Sequence, residues 1–124
     1  MTQADLPLKP RVIDDYVLTL DCAKDDGNHY LVLRGEQKGK PSFEMAFHEH
    51  PVSDVMSAYH RLDRESLARL MSCYVLLAVS THAHRLFTEH PLEAFLDDNT
   101  GPTLAQRIRE SAAPAIHNYP RRYV

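Results

Sequence analysis

The chain has 124 residues, of which 44% are hydrophobic and 25% are charged, and its formal net charge is −3 with the histidines neutral. These values are typical of a single globular domain, residues 1–124, with one core, and they exclude a wholly disordered chain. A slightly acidic chain has no broad electrostatic basis for binding DNA, RNA or an anionic membrane, so we do not expect such partners.

The cysteine content and the N-terminus indicate the compartment. Cys22 and Cys73 are too few for a disulfide framework, and both are interpreted as reduced residues in or near the core. The first residues contain no apolar signal-peptide region, and the longest apolar run, Cys73 to Val79, is too short to span a membrane. We therefore expect a cytoplasmic protein of bacterial type.

The first half of the chain carries the pattern of strands. Residues 1–11 contain two prolines and are interpreted as a flexible N-terminal arm. From about 16 to 48 the apolar residues alternate, which predicts a three-stranded antiparallel β-meander. Its inner face is expected to consist of Tyr16, Leu18, Leu20, Cys22, Leu31, Leu33, Phe43, Met45 and Phe47. Its outer face carries Val17, Thr19, Asp21, Tyr30, Val32, Arg34, Ser42, Glu44, Ala46 and His48.

Asp26-Gly27 predicts the first hairpin turn, because this pair tolerates positive φ. The turn places Cys22 opposite Leu31. Leu20 then faces Leu33, so the apolar faces of the two strands coincide.

Lys38-Gly39 predicts the second turn, and two registers are compatible with it. A two-residue loop sets Leu33 opposite Glu44, which mixes the two faces. A three-residue loop with Gly39 in the left-handed conformation sets Leu33 opposite Phe43. We prefer the second register because it keeps the large apolar side chains on one face.

After Pro51 the apolar period lengthens to that of helices, three or four of which are expected to pack on one sheet face. Ser53 is predicted to cap the first helix. Its apolar stripe consists of Val55, Ala58, Tyr59 and Leu62. A sharp corner then leads into a long central helix over about 64–88. Together with the meander, these helices predict an α+β fold.

Two shorter helices are predicted to follow the central one. Pro91 opens a short third helix that ends before Gly101. A fourth helix covers about 102–113, and Pro114 is expected to end it. Residues 115–124 are interpreted as a loosely ordered tail.

The central helix is apolar on two sides. One broad face is expected to meet the sheet, and it consists of Leu67, Leu70, Met71, Tyr74, Val75, Leu77, Ala78 and Val79. The opposite side has the seam spacing of helix packing, with small residues that permit close approach, and it consists of Arg69, Cys73, Leu76, Ser80, Ala83 and Phe87. Either the fourth helix or another molecule covers this seam. A second partner surface is predicted on the outer sheet face around Val17, Tyr30 and Val32.

No catalytic or cofactor motif emerges from the sequence. The serines lie on predicted helices without a glycine-flanked elbow, and the paired aspartates lie in predicted turns. Among eight histidines, only His48 and His50 have a spacing compatible with shared metal ligation, and no zinc pattern is present. We therefore predict no cofactor, no metal site and no enzymatic activity.

By elimination, the sequence favours a small regulatory protein that binds another protein, as a homodimer, for example an inhibitor or anti-activator that covers a partner's surface. The alternative is a histidine-liganded metal-binding protein or metal-dependent enzyme that uses His48 and His50. Neither the identity of the partner nor the direction of regulation follows from the residues.

Overall fold

A computed structural model describes residues 8–117 of the chain. This part is α+β, with four strands in one antiparallel sheet and five helices. The predicted class is confirmed, whereas the predicted three strands and three to four helices are too few. The chain divides into two compact units, one up to Arg64 and one from Glu65 onward.

The sheet of the first unit has the order β1-β2-β3-β4, with each strand beside its neighbour in sequence. The strands are β1 (Arg11–Ile13), β2 (Tyr16–Asp25), β3 (Asn28–Gln37) and β4 (Lys40–Phe47). The sequence pattern missed β1, because three residues are too few to show an alternation. β1 pairs with β2 through a turn in which Asp14 has a φ of 53°, and Val12 lies opposite Val17.

The predicted register of the first hairpin is confirmed. Cys22 lies opposite Leu31, and Leu20 lies opposite Leu33. Both turn residues have positive φ, 48° at Asp26 and 82° at Gly27, as a tight hairpin turn requires.

The preferred register of the second hairpin is wrong by two residues. Leu33 lies opposite Met45, not Phe43. The turn does have two residues, since Gln37 pairs with Lys40, and an irregularity between Gly35 and Gln37 then shifts the register by one. A shift of two residues leaves every side chain on its predicted face. The alternation alone therefore does not distinguish the preferred register from the observed one.

Gly35 of β3 lies against the ring of Phe43 of β4. It lies opposite Phe43, and a β-carbon at Gly35 would lie 2.1 Å from Cε2 of that ring. The ring also meets the edge of Tyr16, with 5.4 Å between centroids. Only glycine leaves room for Phe43 in this position.

α1 (Val52–Arg61) follows the sheet and carries the predicted apolar stripe, which is buried. Its N-cap is Pro51 and no side chain caps it, so the predicted cap at Ser53 is wrong. The prediction that the first two helices are separate is confirmed, because Leu62 ends α1 in an extended conformation with φ −58° and ψ 136°.

Polar contacts of Tyr59 and Arg11 fix α1 to the first two strands. The Tyr59 hydroxyl lies 2.9 Å from the Lys9 carbonyl and 3.1 Å from the Leu18 carbonyl, to which it donates. Arg11 donates to the carbonyls of Tyr59 at 2.5 Å and Leu62 at 2.8 Å, where the last turn of α1 leaves carbonyls without helical partners. Burial raises the pKa of the Tyr59 phenol, so the neutral hydroxyl is favoured.

In the second unit the predicted central helix is wrong, because it is two helices. α2 (Arg64–Leu77) ends inside the apolar run, and α3 (Thr81–Glu89) starts anew. Ser80 is the N-cap of α3, with φ −144° and ψ 119°, and its Oγ accepts a hydrogen bond from the Ala83 N–H at 3.1 Å. This bond satisfies one of the free N–H groups of the new helix, which stabilises the break.

Two further helices complete the second unit. α4 (Leu92–Leu96) confirms the short third helix. α5 (Thr100–His117) starts earlier than predicted, because the Asp97 carboxylate accepts bonds from the N–H groups of Asn99 and Thr100. The predicted end at Pro114 is wrong as well. A proline inside a helix removes the bond to the carbonyl four residues earlier, and its ring crowds that carbonyl. Glu110 is exposed, so its carbonyl can tilt outward and bond water.

The predictions for the two termini fall largely outside the described residues. Of the predicted arm, Arg11 lies in β1, and of the predicted tail, residues 115–117 lie in α5. The packing of the later helices on one sheet face concerns both units and stays a prediction.

Candidate functional site

Most of the seam predicted for partner binding lies inside the second unit. Four of its members are buried, namely Cys73, Ser80, Ala83 and Phe87. Phe87 packs against Phe95 of α4, with ring centroids 5.1 Å apart, and the Ser80 hydroxyl donates to the Ser111 carbonyl of α5 at 3.4 Å. Residues of the same unit therefore cover this side, which is one of the two covers that the sequence left open.

Arg69 of the seam is half-buried and holds the start of α5. Its Nη1 donates to the Phe95 carbonyl at 2.5 Å, at the negative end of α4. A β-carbon at Gly101 would lie 2.5 Å from the same nitrogen and 2.4 Å from the Phe95 oxygen. The glycine in the first turn of α5 thus makes room for the guanidinium.

The seam is also not one helix face. Arg69, Cys73 and Leu76 belong to α2, whereas Ala83 and Phe87 belong to α3, beyond the break. Leu76 is half-buried, like Arg69. A role of these residues in binding a partner stays a prediction, and in this conformation the fully covered ones are out of a partner's reach.

A different side of α2 faces solvent, and we call it the α2 stripe. It consists of Ala68, Ser72, Val75 and Val79, spaced four, three and four residues apart, with Val79 just past the end of the helix. Val75 is 67% exposed and Val79 is 40% exposed. The expectation that the sheet covers these two valines concerns a contact between the two units, so it stays a prediction. Their neighbours Ala68 and Ser72 are small, so another helix can approach closely.

On the outer sheet face, the predicted patch around Val17, Tyr30 and Val32 divides into two parts. Val17 is 45% exposed and lies opposite Val12, which is 71% exposed and which the sequence pattern did not single out. Val32 is buried, and Tyr30 stacks on His48 with centroids 4.0 Å apart.

Between these two parts runs a row of charges across three strands. Arg34 donates to Asp21 on β2, and its Nε lies 3.4 Å from a carboxylate oxygen of Glu44 on β4. These bonds raise the pKa of the Arg34 guanidinium, the Asp21 bond most of all. The apolar part that remains open on this face is therefore the Val12 and Val17 pair.

The two histidines of the metal alternative have different surroundings. His48 is exposed beside Tyr30, whereas His50 is buried with its ring 6.1 Å from that of Phe47. Within residues 8–117, no three histidine, cysteine, aspartate or glutamate side chains converge as metal ligands.

The two cysteines also differ. Cys73 is fully buried as expected, and burial raises the pKa of its thiol, an effect that Arg109 and Arg69 partly oppose. Cys22 is exposed, so the expectation that it belongs to the core is wrong. It lies on the predicted inner face, but at the end of the hairpin, where that face is open.

Comparison with known proteins does not assign the chain to a family. No family model, no curated protein and no solved structure matches it. Among the helices described, none has the length and apolar character needed to cross a membrane.

Proposed function

We propose that the chain is a small, non-enzymatic regulatory protein that acts by binding another protein and forms a homodimer. The observation that carries this proposal is the exposure of Val75 and Val79 on the α2 stripe. In this proposal the chain acts, for example, as an inhibitor or anti-activator that covers a surface of its partner.

The α2 stripe has the composition of a helix-packing surface. Burying one exposed valine side chain in an apolar contact stabilises the complex by about 1.5–3 kcal/mol. The spacing places Ala68, Ser72 and Val75 on one side of the helix, with Val79 just past its end, and the small Ala68 and Ser72 let a second backbone come near. Exposed apolar side chains that line up in this way mark sites of protein association more often than isolated ones do.

A second copy of the chain is the proposed occupant of the stripe. A two-fold dimer uses the same patch on both subunits, so Val75 of one copy meets the α2 stripe of the other. The Val12 and Val17 pair then remains as a separate apolar surface for the regulated protein. Both surfaces are short, which suits a regulator that binds reversibly.

Light scattering after size exclusion tests the dimer. We expect the wild type to have twice the mass of one chain and Val75→Glu to have the mass of one chain, because the variant would bury an unpaired charge. Val12→Glu is the matched control, since it places the same charge on an equally exposed valine of the sheet. A wild type that is monomeric, or a Val75→Glu variant that stays dimeric, would contradict the proposal.

Capture experiments with the same variants test the regulated partner. Wild-type protein and Val75→Glu should retain the partner from the source cell, whereas Val12→Glu should lose it. Equal retention by all three would show that the sheet pair is not the binding surface.

A further inference from the structure

Val12, Val17 and Glu36 form one row across the first three strands, and we call it the outer row. Val17 lies opposite Val12 of β1 on one side and opposite Glu36 of β3 on the other. Residues directly opposite each other in antiparallel strands place their side chains on the same face. All three residues are exposed. The outer row therefore presents two apolar side chains and one carboxylate side by side.

The two valines of the outer row form one continuous apolar patch. The turn between β1 and β2 has two residues, so Ile13 and Tyr16, which flank it, are the hydrogen-bonded pair. Val12 and Val17 are then a non-hydrogen-bonded pair, in which the Cα atoms approach to about 4.5 Å. Their side chains consequently meet, while 71% of Val12 and 45% of Val17 stay in contact with water.

The third member of the outer row carries a negative charge that no neighbour offsets directly. Within residues 8–117 the Glu36 carboxylate forms no hydrogen bond and no salt bridge, although Lys38 and Lys40 near the next turn are exposed cations. A carboxylate beside an apolar patch attracts a cation more strongly when a docked partner excludes water, because the local dielectric constant falls.

The next charges on this face are negative in sum as well. Arg34 already binds two carboxylates, those of Asp21 and Glu44. With Glu36, the cation of Arg34 thus faces three carboxylates. Such a face repels the phosphates of nucleic acids and the headgroups of anionic lipids, so both are disfavoured as occupants. A basic protein segment has the complementary charge.

We propose that the outer row binds a segment of the regulated protein in which an apolar side chain stands near a lysine or arginine. This inference rests on the proposed function, in which the Val12 and Val17 pair meets that protein. The apolar side chain covers the two valines, and the cation reaches Glu36, which lies two strand spacings, about 10 Å, from Val12. Burial of the valines supplies most of the affinity, whereas the carboxylate selects the partner by charge.

The test titrates the isotope-labelled full chain with two helical peptides and follows the backbone amide shifts by NMR. Both peptides have an alanine and glutamine background with two leucines one turn apart. One peptide carries a lysine a further turn along, and the other carries a glutamate there. Side chains one turn apart on a helix are about 5–6 Å from each other, close to the spacing of the strands. We expect the lysine peptide to shift the amides of Val12, Val17 and Glu36, and to bind about fivefold more tightly than the glutamate peptide.

Paired variants separate the apolar part of the outer row from the charged part. Val12→Ser should weaken the binding of both peptides by about tenfold, whereas Val75→Ser, at a similarly exposed valine of α2, should change neither. Glu36→Lys should reverse the preference, so that the glutamate peptide binds more tightly. Glu89→Lys makes the same charge change at an exposed glutamate of α3 and should leave the preference as it is.

Three results would overturn the outer row as a site for a basic segment. These are equal affinity for the two peptides, amide shifts centred on the α2 stripe, and a preference that Glu36→Lys leaves unchanged. The readout is specific to each residue and requires neither a dimer nor a captured partner, so it is independent of the tests of the proposed function. A reversed preference in a chain that captures no partner would remove the regulatory role and still support the surface.

Discussion

Each unit of the chain contains a glycine beneath a large side chain from a neighbouring element. In the sheet unit, Gly35 lies under the ring of Phe43. In the helical unit, Gly101 lies under the guanidinium of Arg69 and against the Phe95 carbonyl. The first contact is with an apolar side chain that can be shortened, whereas the second includes a backbone atom that is fixed by the end of α4.

This difference shows how the two units reach close packing. The sheet is held by apolar side chains on a regular ladder of strands. Its close contact is between Gly35 and the ring of Phe43, and shortening that one side chain removes it. At the start of α5, Gly101 lies close to the Arg69 guanidinium, which donates a charge-assisted hydrogen bond to the Phe95 carbonyl of α4. The close contact there combines steric crowding with this hydrogen bond. We expect the helical contact to be the more sensitive of the two.

The largest effect is expected for Gly101→Ala. The added carbon would lie 2.4 Å from the Phe95 oxygen, so α4 and α5 have to move apart, and the free energy of unfolding should fall by about 3 kcal/mol. Urea unfolding followed by circular dichroism measures it. Adding Arg69→Ala to the Gly101→Ala variant should restore no stability, because the clash with the Phe95 carbonyl remains. A double variant as stable as Arg69→Ala alone would show that the guanidinium is the only obstacle.

Gly35→Ala should cost less, about 2 kcal/mol, because the obstacle is a side chain. Phe43→Leu shortens that side chain, so the double variant should lose clearly less stability than the sum of the two single variants. The same urea measurement gives the coupling between the two positions. Strict additivity would mean that the ring does not lie over the glycine.

Tyr59→Phe should cost about 1 kcal/mol at neutral pH, because it removes the hydroxyl that bonds the Lys9 and Leu18 carbonyls. Burial raises the pKa of this phenol in the folded chain, so its contribution is fully present below the unfolded pKa of about 10 and is lost as the pH rises further. The stability difference between wild type and Tyr59→Phe should therefore be smaller at a pH of about 11 than at a pH of about 8, and the decrease should occur above about pH 10. A difference that stays constant or grows would contradict the burial of the neutral hydroxyl.

Ser80→Ala should have an effect of the same size as Tyr59→Phe, about 1 kcal/mol, through loss of the cap of α3. Ser72→Ala is the matched control, since the Ser72 hydroxyl lies on the exposed side of α2 and bonds the Arg69 carbonyl one turn earlier. Its effect should be near zero. Equal effects at the two serines would speak against a helix start at Ser80.

The sheet was largely predictable because its signals are local and repeated. Alternation indicates the two faces, and Asp26-Gly27 indicates the first register. The second register depends on an irregularity after Gly35, which leaves no mark in the alternation. β1 has three residues, which is below the length at which a period of two can be recognised.

The helical unit was harder to predict because its decisive signals are single residues. The apolar run up to Val79 continues the pattern of α2, so periodicity assigns Ser80 to a helix face and hides its capping role. Pro114 misleads in the opposite direction, since it predicts an end where α5 continues. At Ser80 the hydrogen bond to the Ala83 N–H decides the structure, and periodicity does not contain it.

The candidate site shows the same limit. Periodicity identifies both sides of α2 that need a cover, but the break after Leu77 decides which residues reach solvent. Cys73 and Phe87 are therefore covered and Val75 is open. The exposure of Cys22 depends on how far β4 extends along the hairpin, which only the pairing reveals.

Hydrogen exchange at two protein concentrations tests the proposed dimer through α2 most directly. Amides exchange more slowly where association protects them. We predict that peptides covering residues 68–79 are protected in concentrated protein relative to dilute protein, and that peptides covering residues 22–29 are not. Val75→Glu should abolish the difference. Protection that is independent of concentration, or that appears at Val12 and Val17 instead, would contradict a homodimer formed through the α2 stripe.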